Sequence, residues 1–441
     1  MIDLQKILEK AKAIQKEYSP FVTLPEKLEK PRSRGRLSGI MISVKDNICT
    51  KGLESTAGSQ ILRGYVPPFD ATCIEKVKAE GGIILGKTAM DEFGFGSFCT
   101  NSFVIPKNPF DKERVCGGSS GGAGCITQLA DFPHIAIAES TGGSISCPAA
   151  FCGVVGLTPT YGRVSRWGLI DYANSLDKIG VMAKNVRDAA LLLSVIAGYD
   201  ERDSTSLNVP QEDFTKYCKE NFKMRVAVPK EYFTGIDEKI EKSVWQAIKK
   251  MESEGMRYQE ISLPHTSYAL PSYYLIAMAE ASTNLAKFCG IRYGFQPELK
   301  GNFDEYFSEV RGKAFGQEAK RRIILGTYAR MAGFRDAYYL KALKVRTKVI
   351  EDFKRVFKNF DVIVAPTMPI LPPRFDEIAK LEPIEVYMMD ILTVAPNLAG
   401  IPMISLPCGF VGKLPVGLHI MADHLQERNA IQAAYTYEAI K

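Results

Sequence analysis

The chain has 441 residues with 56 Lys and Arg against 50 Asp and Glu, and a net charge of +6 over that length is too dilute to mark a nucleic-acid footprint. Hydrophobic residues make up 46% and charged residues 24%, a balance that excludes collagen-like, mucin-like and disordered classes. The longest apolar stretch, Ala189 to Ala197, is broken by Ser194 and falls far short of the ~20 residues that span a bilayer, so no membrane partner is expected.

The opening MIDLQKILEKAK alternates charged and apolar residues at helical spacing, which predicts a helix over about 3–17 and not a signal peptide. A cytoplasmic protein is the expectation. The ten cysteines then read as reduced thiols, mostly small core residues. Cys147 and Cys152 have no CxxC or histidine partner, so no metal site is predicted.

LSGIMISVKD reads as a buried strand ended by Lys45, and helix 70–81 leads through Gly81-Gly82 into strand 82–88. This rhythm predicts a layered α/β fold. Two runs of small residues follow, CGGSSGGAG at 116–124 and STGGSISCPAA at 140–150, both expected to be loops. Helix 185–200 takes Asn185 as its N-cap and Gly198 as its stop. The polar segment 200–213 is the best internal boundary. Beyond it come strand 224–230, helix 237–254, strand 257–264 and a long helical stretch, 268–358. Strand 361–367, helix 385–399, strand 402–410 and helix 424–440 resume the α/β rhythm. We read one domain over 1–441, with a catalytic core at about 30–200, a helical insertion at about 268–358, and a sheet completed by 359–441.

The first glycine run lacks the Lys-Ser/Thr ending of a P-loop and does not match GxGxxG before a helix. Gly117 to Gly121 does match GxSxG, the nucleophile elbow of α/β-hydrolases, with His419 or His424 as the base that this reading requires. Another arrangement uses more of the chain: Lys45 at a strand end, Ser119 in the first run and Ser144 in the second. A serine needs a base to become a nucleophile, and serine–lysine pairs are one solution. Burial disfavours a charged amine, which suits a lysine at the inner end of a strand to that work. Glycines before Ser144 leave N–H groups free for an oxyanion.

SVKDN (43–47), GGSSGG (117–122) and STGGSISCPAAFCGVVGLTPTYGRVSRWGL (140–169) together resemble the amidase signature family over nearly the whole chain. The resemblance implies a large mixed central sheet covered by helices on both faces, with an inserted helical region. It implies Ser144 as nucleophile, Lys45 as ultimate base, and Ser119 as the relay, following a cis peptide bond from Gly118. Thr141, Gly142 and Gly143 would form the oxyanion hole.

GKTAMDEFGFGS (86–97), KRRIILGTYA (320–329), RDAYYLKALKVRT (335–347) and LTVAPNLAGIP (392–402) look like the amidotransferase branch of that family. That branch implies a glutaminase releasing ammonia for misacylated Glu-tRNA(Gln) or Asp-tRNA(Asn), with Arg322 and Asp390 gripping the glutamine α-groups. Its partners would be GatB-like and GatC-like subunits, with tRNA, ATP and Mg on the partner side and no cofactor in this chain. The other two readings are a stand-alone amidase acting on another small amide and a catalytically silent scaffold. The chain departs from the family pattern at Ser140, where Asp is usual, and at Ser146, where Arg is usual. The Ser119-to-Ser144 spacing is also one residue longer than expected, an insertion placed in DFPHI (131–135).

Overall fold

Eleven strands join in one sheet in the computed structural model, which describes residues 3–31 and 33–441. Met1 and Ile2 of the opening segment, and Arg32 of the expected catalytic core, lie outside the described residues. The strands are β1 (Phe21–Thr23), β2 (Met41–Lys45), β3 (Ile83–Thr88), β4 (His134–Ser140), β5 (Val155–Thr158) and β6 (Lys178–Ala183). The rest are β7 (Arg225–Pro229), β8 (Arg257–Ile261), β9 (Val362–Pro366), β10 (Met403–Val411) and β11 (Leu414–Met421). Their order is β1-β3-β2-β4-β6-β5-β10-β11-β9-β7-β8. β2 runs parallel to β3 and β4, and β7 parallel to β8 and β9, while the pairings from β4 through β6, β5, β10 and β11 to β9 are antiparallel. The sheet is therefore mixed, as the family resemblance implies.

Strand alternation feeds a core on each face. Val226, Val364, Ile404 and Leu418 enter one, with helices Val186–Ile196, Glu238–Ser253 and Glu427–Ile440. Ala227, Ile363, Met403 and Met421 enter the other, covered by Ala269–Asn284, Lys341–Phe357 and Val394–Ala399. The helices between β8 and β9 thus roof one face. The 200–213 segment does not part the sheet, because β5 pairs directly with β10.

Three expectations are corrected. The first glycine run is not all loop: Gly121, Gly122 and Gly124 lie in helix Gly121–Leu129. Close packing explains this, since a Cβ at Gly122 would stand 2.3 Å from the Pro20 carbonyl oxygen and one at Gly121 2.6 Å from Cys99 Cβ. The second run likewise begins as the end of β4 and continues into helix Ser146–Cys152. Helix 385–399 is two short helices, Pro383–Met388 and Val394–Ala399, separated by a turn that holds Asp390. Pro396 has no N–H to bond backward, so it fits a first turn and not a helix interior.

Hydrophobic patterning marks neither β1, β4, β5, β6 nor β11. β1 and β5 are short, β4 and β6 carry alanine or glycine among their apolar residues, and a Cβ at Gly180 in β6 would meet the Leu157 carbonyl oxygen at 2.4 Å. The segment expected to carry the inserted residue is only partly loop, because His134 and Ile135 already belong to β4.

Candidate active site

β2 stops at Lys45 because the next residue is captured by a turn, with the Asp46 carboxylate accepting from the N–H groups of Thr56 (3.0 Å) and Gly58 (3.2 Å). The Lys45 side chain runs on into the protein, fully buried. Its Nζ lies 2.7 Å from Ser119 Oγ, 2.8 Å from the Glu139 carbonyl oxygen and 2.8 Å from Glu139 Oε2. With its two hydrogens given to the Glu139 carbonyl and carboxylate, a neutral amine at this position keeps its lone pair for the Ser119 hydroxyl.

Ser119 is held in place through its backbone. The Gly118–Ser119 peptide is cis, Gly118 N–H donates to the Ser97 carbonyl at 2.7 Å, and the Ser119 carbonyl accepts from Asp91 N–H at 3.2 Å. Asp91 in turn accepts from the N–H groups of Cys99, Thr100 and Asn101, each at 2.9 Å. Burial pushes the Asp91 carboxyl up despite those donors. The two glycine runs are stitched together by Ser120, whose N–H donates to the Ser144 carbonyl (3.1 Å) and whose hydroxyl donates to the Glu139 carbonyl (3.0 Å). Lys45 and Ser119 are 0% exposed and Ser144 is 6% exposed, so only the expected nucleophile keeps an opening.

Thr141, Gly142 and Gly143 connect β4 to Ser144. Their N–H groups find no acceptor among the described residues, which leaves them available to an oxyanion. The turn is pinned from the far side of the sequence, where Asn397 Nδ2 donates to the Gly142 carbonyl at 2.7 Å. A Cβ at Gly143 would stand 2.3 Å from Thr393 Oγ1, and one at Gly142 2.5 Å from the Tyr273 ring.

Two charged side chains stand near these neighbours, with Tyr273 packed against Tyr274 and Thr393 Oγ1 donating to the Asp390 carbonyl at 3.2 Å. Arg322, on helix Gln317–Arg330, is buried between the rings of Phe95, Tyr172, Tyr274 and Tyr387 at 5.1–5.7 Å from their centroids. Its Nε donates to Glu318 Oε1 (2.8 Å) and its Nη1 to the Tyr172 hydroxyl (2.6 Å). Asp390 accepts from the Tyr274 hydroxyl at 2.7 Å, and burial holds its carboxyl above the ordinary range. Arg322 is paired with Glu318 and not with Asp390, which leaves its Nη2 without a hydrogen-bond partner and Asp390 without a cationic one among the described residues.

A model of the amidase family matches residues 6–431. The chain belongs to the amidase family. Over 417 residues, 94% of its length and 87% of the relative's, it is 51% identical to the glutamyl-tRNA(Gln) amidotransferase A-subunit of Methanosarcina mazei. It is 49% identical over 408 residues, 92% of its length and 85% of the relative's, to the protein of the same description from Halothermothrix orenii. A crystal structure of the glutamyl-tRNA(Gln) amidotransferase A-subunit of Thermotoga maritima superposes with a TM-score of 0.84 at 37% identity, covering 98% of this chain and 90% of that one.

Among the described residues no histidine contacts Lys45 or Ser119, so the elbow reading has no base there. His419 is buried on β11, with Nε2 3.5 Å from Ser146 Oγ, and burial followed by the nearby Lys178 charge lowers its pKa to about 3. His424 is half-buried and lowered by the same cause, burial.

Sequence reasoning missed Glu139, Thr141 as a side-chain donor, and Asp177. Glu139 follows Ala138 on β4, and the only available signal was a carboxylate beside the expected Asp position. Neighbouring strand residues face opposite sides, so Glu139 reaches Lys45 while Ser140 lies on the other face, opposite Lys178. Ser140 Oγ is buried without a partner among the described residues, and Ser146 keeps only the long contact to His419. No charge is stranded where the Asp and Arg of the family pattern would stand.

Proposed function

We propose that this chain is the glutamine amidohydrolase component of a tRNA-dependent amidotransferase. The observation that carries this reading is the buried guanidinium of Arg322 together with the buried carboxyl of Asp390, whose neighbour Thr393 packs on Gly143 in the turn that presents Ser144. Free glutamine offers an α-carboxylate and an α-ammonium, and a guanidinium and a carboxylate are the groups that bind them. The names of the relatives at about half identity agree with it.

In this mechanism Ser144 Oγ attacks the glutamine side-chain amide, and its proton passes through Ser119 to the amine of Lys45. The oxyanion forms against the N–H groups of Thr141, Gly142 and Gly143. The carbon–nitrogen bond then breaks, the proton returns through Ser119 to the leaving nitrogen, and ammonia departs. Water hydrolyses the glutamyl ester on Ser144 by the same route. Ammonia passes to GatB-like and GatC-like partner subunits, which bind the misacylated Glu-tRNA(Gln) or Asp-tRNA(Asn) and carry the ATP- and Mg-dependent step. In the described residues, no helix is long and apolar enough to cross a membrane.

The test is ammonia release from glutamine by the chain alone and with its GatB-like and GatC-like partners. Turnover that rises with the partners and disappears in Ser144→Ala supports the reading. Hydrolysis of other small amides with no response to partners means a stand-alone amidase, and absence of labelling by an electrophilic glutamine analogue means a silent scaffold.

A further inference from the structure

Lys45 Nζ and Glu139 Oε2 lie 2.8 Å apart, with side chains 0% and 1% exposed. Two other donors fix the Glu139 carboxylate. Asn47 Nδ2 donates to Oε2 at 3.1 Å, and Thr141 Oγ1 lies 2.9 Å from Oε1. Thr141 Oγ1 also lies 2.9 Å from Asp177 Oδ1. A hydroxyl has one hydrogen, so a carboxyl proton must close one of these two contacts. Burial, and next the charge of Glu139, push Asp177 well above the ordinary carboxyl range, which puts that proton on Asp177. The chain of contacts runs from Ser119 through Lys45, Glu139 and Thr141 to Asp177.

Resting on the reading of Lys45 as base, we propose that Glu139 is a positioning residue for proton transfer, fixing Lys45 Nζ against Ser119 and stabilising the ammonium formed when Lys45 accepts the proton of Ser144. Glu139 neither gains nor loses a proton in the step. Ser144 gives its hydrogen to Ser119, Ser119 gives its own to the amine, and the new positive charge forms 2.8 Å from a fixed negative one. When the carbon–nitrogen bond breaks, the proton leaves the ammonium for the nitrogen by the reverse path. The arrangement is the lysine counterpart of a carboxylate that orients a histidine base and stabilises its protonated form.

Removing one partner of a buried pair destabilises a protein whatever its role, so the test needs a kinetic signature. In the complex with its partner subunits, Glu139→Gln is expected to lower kcat for glutamine by about 10- to 100-fold with KM little changed, because no contact to the α-groups is touched. The acid limb of its kcat/KM profile should move to lower pH, since the carboxylate that favours the ammonium is gone. The other titratable groups facing the pair are Asp91 and Cys99 beside Ser119, Asp177 across Thr141, and Tyr172 held by Arg322. All are common to both proteins.

Glu139→Asp, which keeps the charge on a shorter arm, should recover part of the loss. Should Glu139→Gln fail to fold, Asn47→Ala loosens the carboxylate from the other side and should lower kcat by a smaller factor, again at constant KM. Wild-type kcat and an unmoved acid limb in the variants that fold, with Lys45→Ala inactive, overturn the proposal for Glu139 alone. A fully active Lys45→Ala overturns the reading of the base on which it rests.

Discussion

Lys45, Ser119 and Ser144 come from strand ends and glycine turns in the first third of the chain, whereas Arg322, Asp390, Tyr274 and Tyr387 come from the helical roof and from the short helix and turn after β9. The first group sits on turns packed so closely that Gly118, Gly122 and Gly143 leave no room for a Cβ. The second is held by side-chain hydrogen bonds among aromatic rings, such as the stacked Tyr274 and Tyr387 at 4.3 Å. In the proposed function, one side fixes the reaction and the other selects what reacts. Substitutions on the two sides should fail in different ways.

The largest effect belongs to the chemistry. Ser144→Ala should lose turnover of every amide, on the order of 10⁴-fold or more, while Ser119→Ala leaves at most a small residue. Assay of glutamine and a small aliphatic amide side by side checks this. Comparable in size, Lys45→Arg should be as damaging as Lys45→Ala with unchanged circular dichroism, because a guanidinium cannot act as the base. A fully active Lys45→Arg would remove lysine from the mechanism.

The recognition side should separate the two substrates. Arg322→Ala is expected to lose roughly 30- to 1000-fold in kcat/KM for glutamine, the equivalent of about 2–4 kcal/mol, and to change little toward an amide without α-groups. Equal losses on both would erase the contrast between the two sides.

Smaller again, and visible in stability, is Gly122→Ala. Its Cβ meets backbone atoms of Pro20 and Ala89, so denaturant unfolding should show a loss of about 1–3 kcal/mol. Wild-type stability would mean that the helix shifts freely and the loop is not locked. The smallest effect is His424→Ala, away from both groups, where kcat should stay within about twofold.

The catalytic side was legible because its residue types are rare together: a lysine ending an apolar strand, and two serines in glycine runs. The recognition side was not legible from pattern alone. Arg322 and Asp390 look like ordinary helix and turn charges, and only the resemblance singled them out. Glu139 escaped because a carboxylate in an alanine-rich strand has no local pattern to mark its partner, which sits on β2. The long helix at 385–399 misled because its apolar residues continue through the turn that frees Asp390. The glycine runs misled for the opposite reason: glycine is penalised in a helix on its own, but here the packing of neighbouring backbone requires it.

The pairing of β5 with β10 also sets a timetable for biosynthesis. Every group of the Ser144–Ser119–Lys45 relay leaves the ribosome early, yet the strand that flanks β5 and the Asn397 that pins Gly142 are made only near residue 400. Contacts so distant in sequence form slowly, and until they form β5 is an open edge. A chain stalled before β10 therefore keeps an unpaired β5 edge and an unpinned Gly142 turn, and is expected to be held by chaperones or degraded.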